Sequence, residues 1–317
     1  MNTQNQHPAV RDCWVDGHGG RLFARVWSPA AATDRAPIIL LHDSLGSVEL
    51  WRGFPAALCA ATGRQVVAYD RLGFGKSDAH PGKLALGFVA SEAEHDFAAV
   101  RQQLGIGRFV VFGHSVGGGM AVNCAAHCGD ACVALITESA QAFVEDRTVQ
   151  GIEEARELFK DAGQFERLKR YHGDRTHWVL DAWIGSWLHP DFAGWSLAPA
   201  LPRVQCPALV IHGIDDEYGS PKHPRQIAEA VGGGARLVAE LVLADAAADP
   251  QLGAVTLLRD REIEELHAVA ERLADASEIA RLAEISQCTR CLSAAVCRGC
   301  RQSIKSFVAR HPCGRVP

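Results

Sequence analysis

Arg108-Phe109-Val110-Val111-Phe112-Gly113-His114-Ser115-Val116-Gly117-Gly118-Gly119-Met120 is the stretch that decides the fold of this chain. Its first half is a short apolar run of β-branched and aromatic residues, the composition of a strand buried on both faces. From Val116 to His127 small and apolar residues recur at helical spacing. Between the two lies Gly-His-Ser-Val-Gly, a G-x-S-x-G whose serine occupies a sharp strand-to-helix turn with strained backbone. Glycines at 113 and 117 remove side chains that would collide with the neighbouring strand and helix. The turn exposes the Ser115 hydroxyl at a helix N-terminus, where amides and the macrodipole favour developing negative charge. A glycine-rich turn with an incidental serine is the competing reading, and the strand before and helix after it weigh against it.

Similar apolar runs bounded by turn signals lie on either side: residues 38–42 (IILLH), 65–70 (QVVAYD), 132–137 (CVALIT) and 207–213 (PALVIHG). Helical spacing fills Val48 to Ala61 and Val89 to Leu104, so strands and helices alternate as in a doubly wound, mostly parallel α/β sheet. The N-terminal DCWVDGHGGRLFARVWSP, with Gly19-Gly20 at its turn, reads as an antiparallel hairpin capping one edge. The alternation stops between 140 and 200, where the text turns helical and Trp178, Trp183, Trp187 and Trp195 crowd together. Those tryptophans either pack a small core of their own or line a ligand crevice, and a helical lid would let them do both. A last strand is expected in ARLVAELVL. Beyond it Ile263, Leu266, Val269, Leu273, Ile279, Leu282 and Ile285 mark one or two amphipathic helices. The expected organisation is a core of 1–139 and 201–243, a helical cap of 140–200, and an atypical extension of 244–317 with a Cys-rich end.

Composition narrows the partners. Hydrophobic residues make up 48% of the 317 and charged residues 22%, so the chain can bury a large core. With 32 Lys+Arg against 37 Asp+Glu, net −5, and no long basic run, nucleic acid and anionic membrane surfaces are excluded as expected partners. The start shows no apolar h-region behind basic residues, so a cytoplasmic location is expected. A small-molecule substrate is the partner that remains, while oligomeric state leaves no trace in the composition.

Four ordered strings, LHDSLGSVELW, VVAYDRLGFGKSD, VVFGHSVGGGMA and ALVIHGIDDEYGSP, resemble the α/β-hydrolase superfamily over about residues 10–235. The likeness is greatest to small bacterial cofactor-free serine hydrolases with a helical cap. That resemblance implies Ser115 as nucleophile, with the N–H groups of Val116 and Ser44 as the oxyanion hole. It implies Asp216 as the triad acid, with Asp215 as the alternative, holding the tautomer of a histidine base and stabilising its imidazolium. No cofactor and no metal is implied. Asp43 stands where the family usually has glycine, so its carboxylate has to point away from the oxyanion. Such a site would take an ester or related carbonyl bond of a small, partly apolar substrate through an acyl-enzyme.

The pattern breaks at the histidine, which the family places in a turn soon after the next strand. After Asp216 stand only His223, His267 and His311. His223 comes too early, His267 lies on the amphipathic helix among Glu264, Glu265 and Glu271, and His311 precedes the ending Pro-Cys-Gly-Arg-Val-Pro. Family members often carry Cys-Gly-His-Val-Pro there, and Arg315 in that position cannot deprotonate. His267 is the candidate base, with His311 the other. Loss of the base in such a unit costs about 10⁶-fold in kcat, so the alternative is a hydrolase-fold protein with impaired catalysis that binds a ligand or partner. Cys288-x-x-Cys291 and Cys297-x-x-Cys300 could bind zinc, though their spacing is shorter than in familiar zinc modules. The competing origin of everything beyond about Leu237 is a frameshift, fusion or insertion.

Overall fold

The computed structural model describes residues 8–213 and 216–232, together with the backbone of 236–241. They form an eight-stranded sheet in the order β1-β2-β4-β3-β5-β6-β7-β8. β1 (Ala9–Asp16) and β2 (Arg21–Ser28) make the expected hairpin at one edge, with Ala9 opposite Ser28 and Asp16 opposite Arg21. β2 runs antiparallel to β4 (Val66–Tyr69). From there on, β3 (Ile38–Leu41), β5 (Phe109–His114), β6 (Cys132–Glu138), β7 (Ala208–Gly213) and β8 (Arg236–Leu241) pair in parallel.

The central strands are apolar along their whole length because both faces are covered. Alternate residues go to opposite sides: Val111 packs with Met120 and Val122 on one face, while Val110 and Phe112 pack with Trp51, Phe54 and Leu58 on the other. α1 (Phe54–Thr62) covers the second face; α2 (Phe88–Ser91), α3 (Asp96–Gln103) and α4 (Val116–Cys128) contribute to the first.

Two expected helices are interrupted. The stretch Val48 to Ala61 becomes a 3₁₀ turn at Val48–Trp51 followed by α1, and Pro55 in the first turn of α1 accounts for the restart. A proline lacks the N–H needed to continue an earlier helix and biases the residue before it away from helical backbone. The stretch Val89 to Leu104 splits into α2 and α3 around Glu92, whose buried carboxylate accepts the Tyr69 hydroxyl, and Asp96, which accepts the Leu72 N–H at 3.2 Å.

Between β6 and β7 the chain makes α5 (Asp146–Leu158), α6 (Ala162–His172) and α7 (Thr176–Trp187). Its aromatic residues serve mainly as packing. Trp187, Phe192 and Trp195 form one cluster with centroids 5.3 to 5.5 Å apart, and Phe88 of α2 stacks on Phe192 at 5.9 Å. Trp178 instead faces Phe74 at 5.5 Å and donates its indole N–H to Gly82 at 2.7 Å, tying α7 to the loop after β4. α8 (Lys222–Ala230) follows β7. Among the described residues no helix is long and apolar enough to cross a membrane.

Candidate active site

Ser115 sits between β5 and α4 with φ 55° and ψ −124°, left-handed backbone that few residues other than glycine adopt. Two hydrogen bonds hold that turn. The Ser115 N–H donates to Glu138 O at 2.8 Å, and Gly118 N–H donates to Ser115 O at 2.8 Å. The flanking glycines are required by contact: a Cβ on Gly113 would lie 2.0 Å from Gly117 O, and one on Gly117 would lie 2.2 Å from Leu41 O. The start of α4 is therefore pressed against the end of β3. Val116 is the first residue of α4, directly after Ser115, so its N–H has no intrahelical acceptor.

The loop after β3 approaches the same place and is braced from behind. Buried His42 uses Nδ1 toward Asp43 O at 2.8 Å, while its Nε2 accepts the Arg71 N–H at 3.2 Å, which defines one neutral tautomer. Burial, then the Arg71 charge, hold its pKa well below the ordinary histidine range. Arg71 Nη2 also donates to Asp43 O at 2.8 Å. Both oxygens of the Asp43 carboxylate have partners. One oxygen accepts Leu45 N–H at 2.7 Å and the other pairs with His114 Nδ1 at 3.5 Å. Burial works to raise the Asp43 pKa, but His114, His42 and the Leu45 amide overcome it and hold the carboxyl at about 2. Burial works to lower the pKa of His114, and Asp43, Glu138 and Asp216 together raise it to about 9. His114 is thus a cation at neutral pH, and Asp43 is its counter-ion.

Asp216 follows β7 and is half-buried. Its Oδ1 accepts the N–H groups of Tyr218 and Gly219, both at 2.8 Å, a tight local turn that fixes the carboxylate. Oδ2 has no hydrogen-bond partner among the described residues, so one oxygen is anchored and the other is available to an imidazole. His212 steadies the turn through Nε2 to Gly219 O at 3.2 Å.

The serine hydroxyl has a partner that sequence reading did not find. Ser115 Oγ donates to Gln141 Oε1 at 3.3 Å, and Gln141, buried, donates its amide to Ser139 O at 3.2 Å. The signal for Gln141 is its position just past the end of β6, the strand beside β5, because crevices in such sheets open at the carboxyl ends of the strands. His223, passed over as too early, uses both ring nitrogens elsewhere. Nδ1 accepts Ala142 N–H at 3.0 Å, and Nε2 meets Glu145 Oε1 at 2.9 Å. It cannot serve Ser115. His267, His311 and the four cysteines at 288, 291, 297 and 300 lie outside the described residues.

Ser44, Ser115, Gln141 and Asp216 thus follow the ends of four parallel strands, β3, β5, β6 and β7. A model of the alpha/beta hydrolase fold matches residues 36–168, which carry β3 through most of α6. Over those residues the chain carries the α/β-hydrolase fold. Among curated proteins, a proline iminopeptidase of Lactobacillus delbrueckii subsp. lactis is 35% identical over 91 residues, 29% of this chain. The matched stretch spans only 31% of that relative's length. A non-heme chloroperoxidase of Streptomyces lividans is 25% identical over 246 residues, 67% of this chain and 86% of its own. Among solved structures, the enol-lactonase of Burkholderia xenovorans LB400 superposes with a TM-score of 0.57 at 20% identity, over 83% of this chain and 100% of its own. At that identity the superposition speaks for the fold alone.

Proposed function

We propose that this chain is a serine-nucleophile hydrolase that cleaves an ester or related carbonyl bond of a small, partly apolar substrate through an acyl-enzyme. Ser115 attacks the carbonyl carbon. The N–H groups of Ser44 and Val116 receive the oxyanion, and His267, oriented by Asp216, takes the serine proton and returns it to the leaving group. The observation that carries this reading is the backbone of Ser115, held at φ 55° at the N-terminus of α4. Strained backbone at a nucleophile position is maintained only where the surroundings over-determine it, and here the glycines do so. The helices of 140–200 serve as the cap over the crevice. That the names of two relatives refer to a lactone and to proline peptides is consistent with carbonyl chemistry.

A second reading rests on the Ser115–Gln141 hydrogen bond, since an amide oxygen cannot take up the proton of an attacking serine. On this reading the crevice binds a ligand without turnover. Stopped-flow hydrolysis of p-nitrophenyl acetate separates the two when run on wild type, Ser115→Ala and His267→Ala. A burst and steady turnover abolished by Ser115→Ala, with His267→Ala lowering kcat by about 10⁴-fold or more, supports the enzyme. A wild-type trace equal to that of Ser115→Ala overturns it and leaves the binding protein.

A further inference from the structure

At the opposite end of the sheet from Ser115, Cys132 opens β6 and Cys206 lies two residues before β7. β6 and β7 are adjacent and parallel, with Leu135 opposite Ala208, so the two cysteines enter the sheet on neighbouring segments. Their sulfurs are 3.7 Å apart. Both residues also border a cleft of about 410 Å³, open to solvent, whose wall includes Arg108, Asp130, Val133 and Gln205, while the cysteines themselves are buried. Two sulfurs already in contact, on residues that border an open cleft, form a pair that a reagent small enough to enter the cleft can meet.

We infer that Cys132 and Cys206 form a dithiol that a small hydroperoxide oxidises to a disulfide joining β6 to β7. The Cys206 thiolate attacks the terminal peroxide oxygen and breaks the O–O bond, giving Cys206 sulfenic acid and an alcohol, or water where the reagent is hydrogen peroxide. Cys132 sulfur then attacks the sulfenyl sulfur and displaces water, with the Cys132 proton leaving on that water. Two thiols and one hydroperoxide give one disulfide, one alcohol and one water. Either thiol can donate across this contact, and the shift in favour of the Cys206 thiolate and against that of Cys132 points to Cys206 as the first nucleophile. Closing the gap from 3.7 Å to a bond of about 2.05 Å asks for side-chain rotation of the order of an ångström. The bridge would enclose the helical segment between β6 and β7 in a covalent loop, joining the strand that leads to Gln141 to the strand that leads to Asp216.

The full-length protein, treated with hydrogen peroxide, alkylated and cut by an Asp-specific endoprotease, tests this directly. Cleavage before Asp130 and Asp146 isolates Cys132 in one fragment, and cleavage before Asp191 and Asp215 isolates Cys206 in another. The expected product is a cross-linked pair, 130–145 to 191–214, lost on reduction. In Cys132→Ala the second step has no thiol, so Cys206 accumulates as sulfenic acid and is trapped by dimedone. Oxidised protein in which both fragments remain alkylated thiols, or in which Cys206 is joined to any other cysteine, overturns the inference.

Discussion

Replacing Gly117 by alanine places a methyl group 2.2 Å from Leu41 O and 2.6 Å from His42 O. A carbon needs about 3.3 Å from a carbonyl oxygen, so the first turn of α4 and the end of β3 have to separate by about 1 Å. Neither side is a flexible side chain. Both are backbone, and β3 is held in the middle of the sheet between β4 and β5. Overpacking of this kind costs about 3 kcal/mol, and the better helix propensity of alanine returns at most about 1 kcal/mol, leaving a net loss of about 2 kcal/mol. Gly185→Ala is the matched control: Gly185 lies in α7, exposed, with nothing within 4 Å of its added carbon, and should gain about 0.5 to 1 kcal/mol. Urea unfolding followed by tryptophan fluorescence reads both. With a slope of about 3 kcal/mol per molar for a chain of this size, Gly117→Ala lowers the midpoint by about 0.7 M while Gly185→Ala raises it slightly. The same 1 Å displacement moves the Val116 amide from the Ser44 loop, and any Ser115-dependent esterase rate falls about 100-fold. A Gly117→Ala protein as stable as wild type would refute the close contact between α4 and β3, and with it the explanation of the G-x-S-x-G glycines.

Two pH responses follow from a buried and a half-buried histidine. His172 donates Nε2–H to Leu45 O at 2.9 Å and accepts Gly75 N–H on Nδ1 at 3.0 Å, and burial depresses its pKa to about 4. The unfolded chain then binds the extra proton first, so the His172 contribution is present above about pH 6.5 and is lost as pH falls toward 4. The urea-midpoint advantage of wild type over His172→Phe should shrink across that window, and an advantage constant with pH would contradict it. His114 shifts the other way: with a folded pKa of about 9, its stabilisation is full below about pH 6.5 and is lost as pH rises through 9. Asp43→Asn should remove most of that alkaline loss and bring the His114 imidazole titration, followed by NMR, to lower pH. An unchanged titration midpoint would separate the two residues.

What was legible in the sequence was local. A parallel strand buried on both faces announces itself by composition, and all five such runs are strands. The elbow at Ser115 needs only its own glycines and the elements on either side, so it too can be read from one line of residues. The hairpin was marked by Gly19-Gly20 in the same way. Interactions between segments distant in sequence were not legible. Nothing near Gln141 says that β6 lies beside β5, yet that adjacency brings its amide to Ser115. Asp43 looked awkward as a carboxylate beside an oxyanion site, and its resolution lies with His114, on another strand. The helix breaks at 52–53 and 92–95 differ in what announces them: Pro55 was visible, whereas Glu92 keeps helical backbone and the chain departs at His95, φ −109° and ψ −96°, which no residue type there signals.

The helical segment between β6 and β7 grips the site from two sides. On one side His172 of α6 binds Leu45 O, in the loop that carries the Ser44 amide, and Arg175 donates to the carbonyls of Gly73 and Gly75. On the other, Thr148 donates to Tyr218 O at 2.6 Å in the turn that fixes Asp216, while Glu145 accepts Ser220 N–H at 2.7 Å just after it and meets His223 of α8. The Ser44 loop and the Asp216 loop follow different strands and share no hydrogen bond among the described residues, but both are attached to the same helical segment, one to α6 and the other to the start of α5. A change that shifts those helices therefore reaches both loops, and substitutions on the two sides should be non-additive even though the residues do not touch. His172→Phe and Glu145→Gln combined in a double-mutant cycle measure that coupling. An interaction energy above about 0.5 kcal/mol in urea unfolding would establish that the helices move as one body, while strict additivity would mean that each loop is held by its own tether alone.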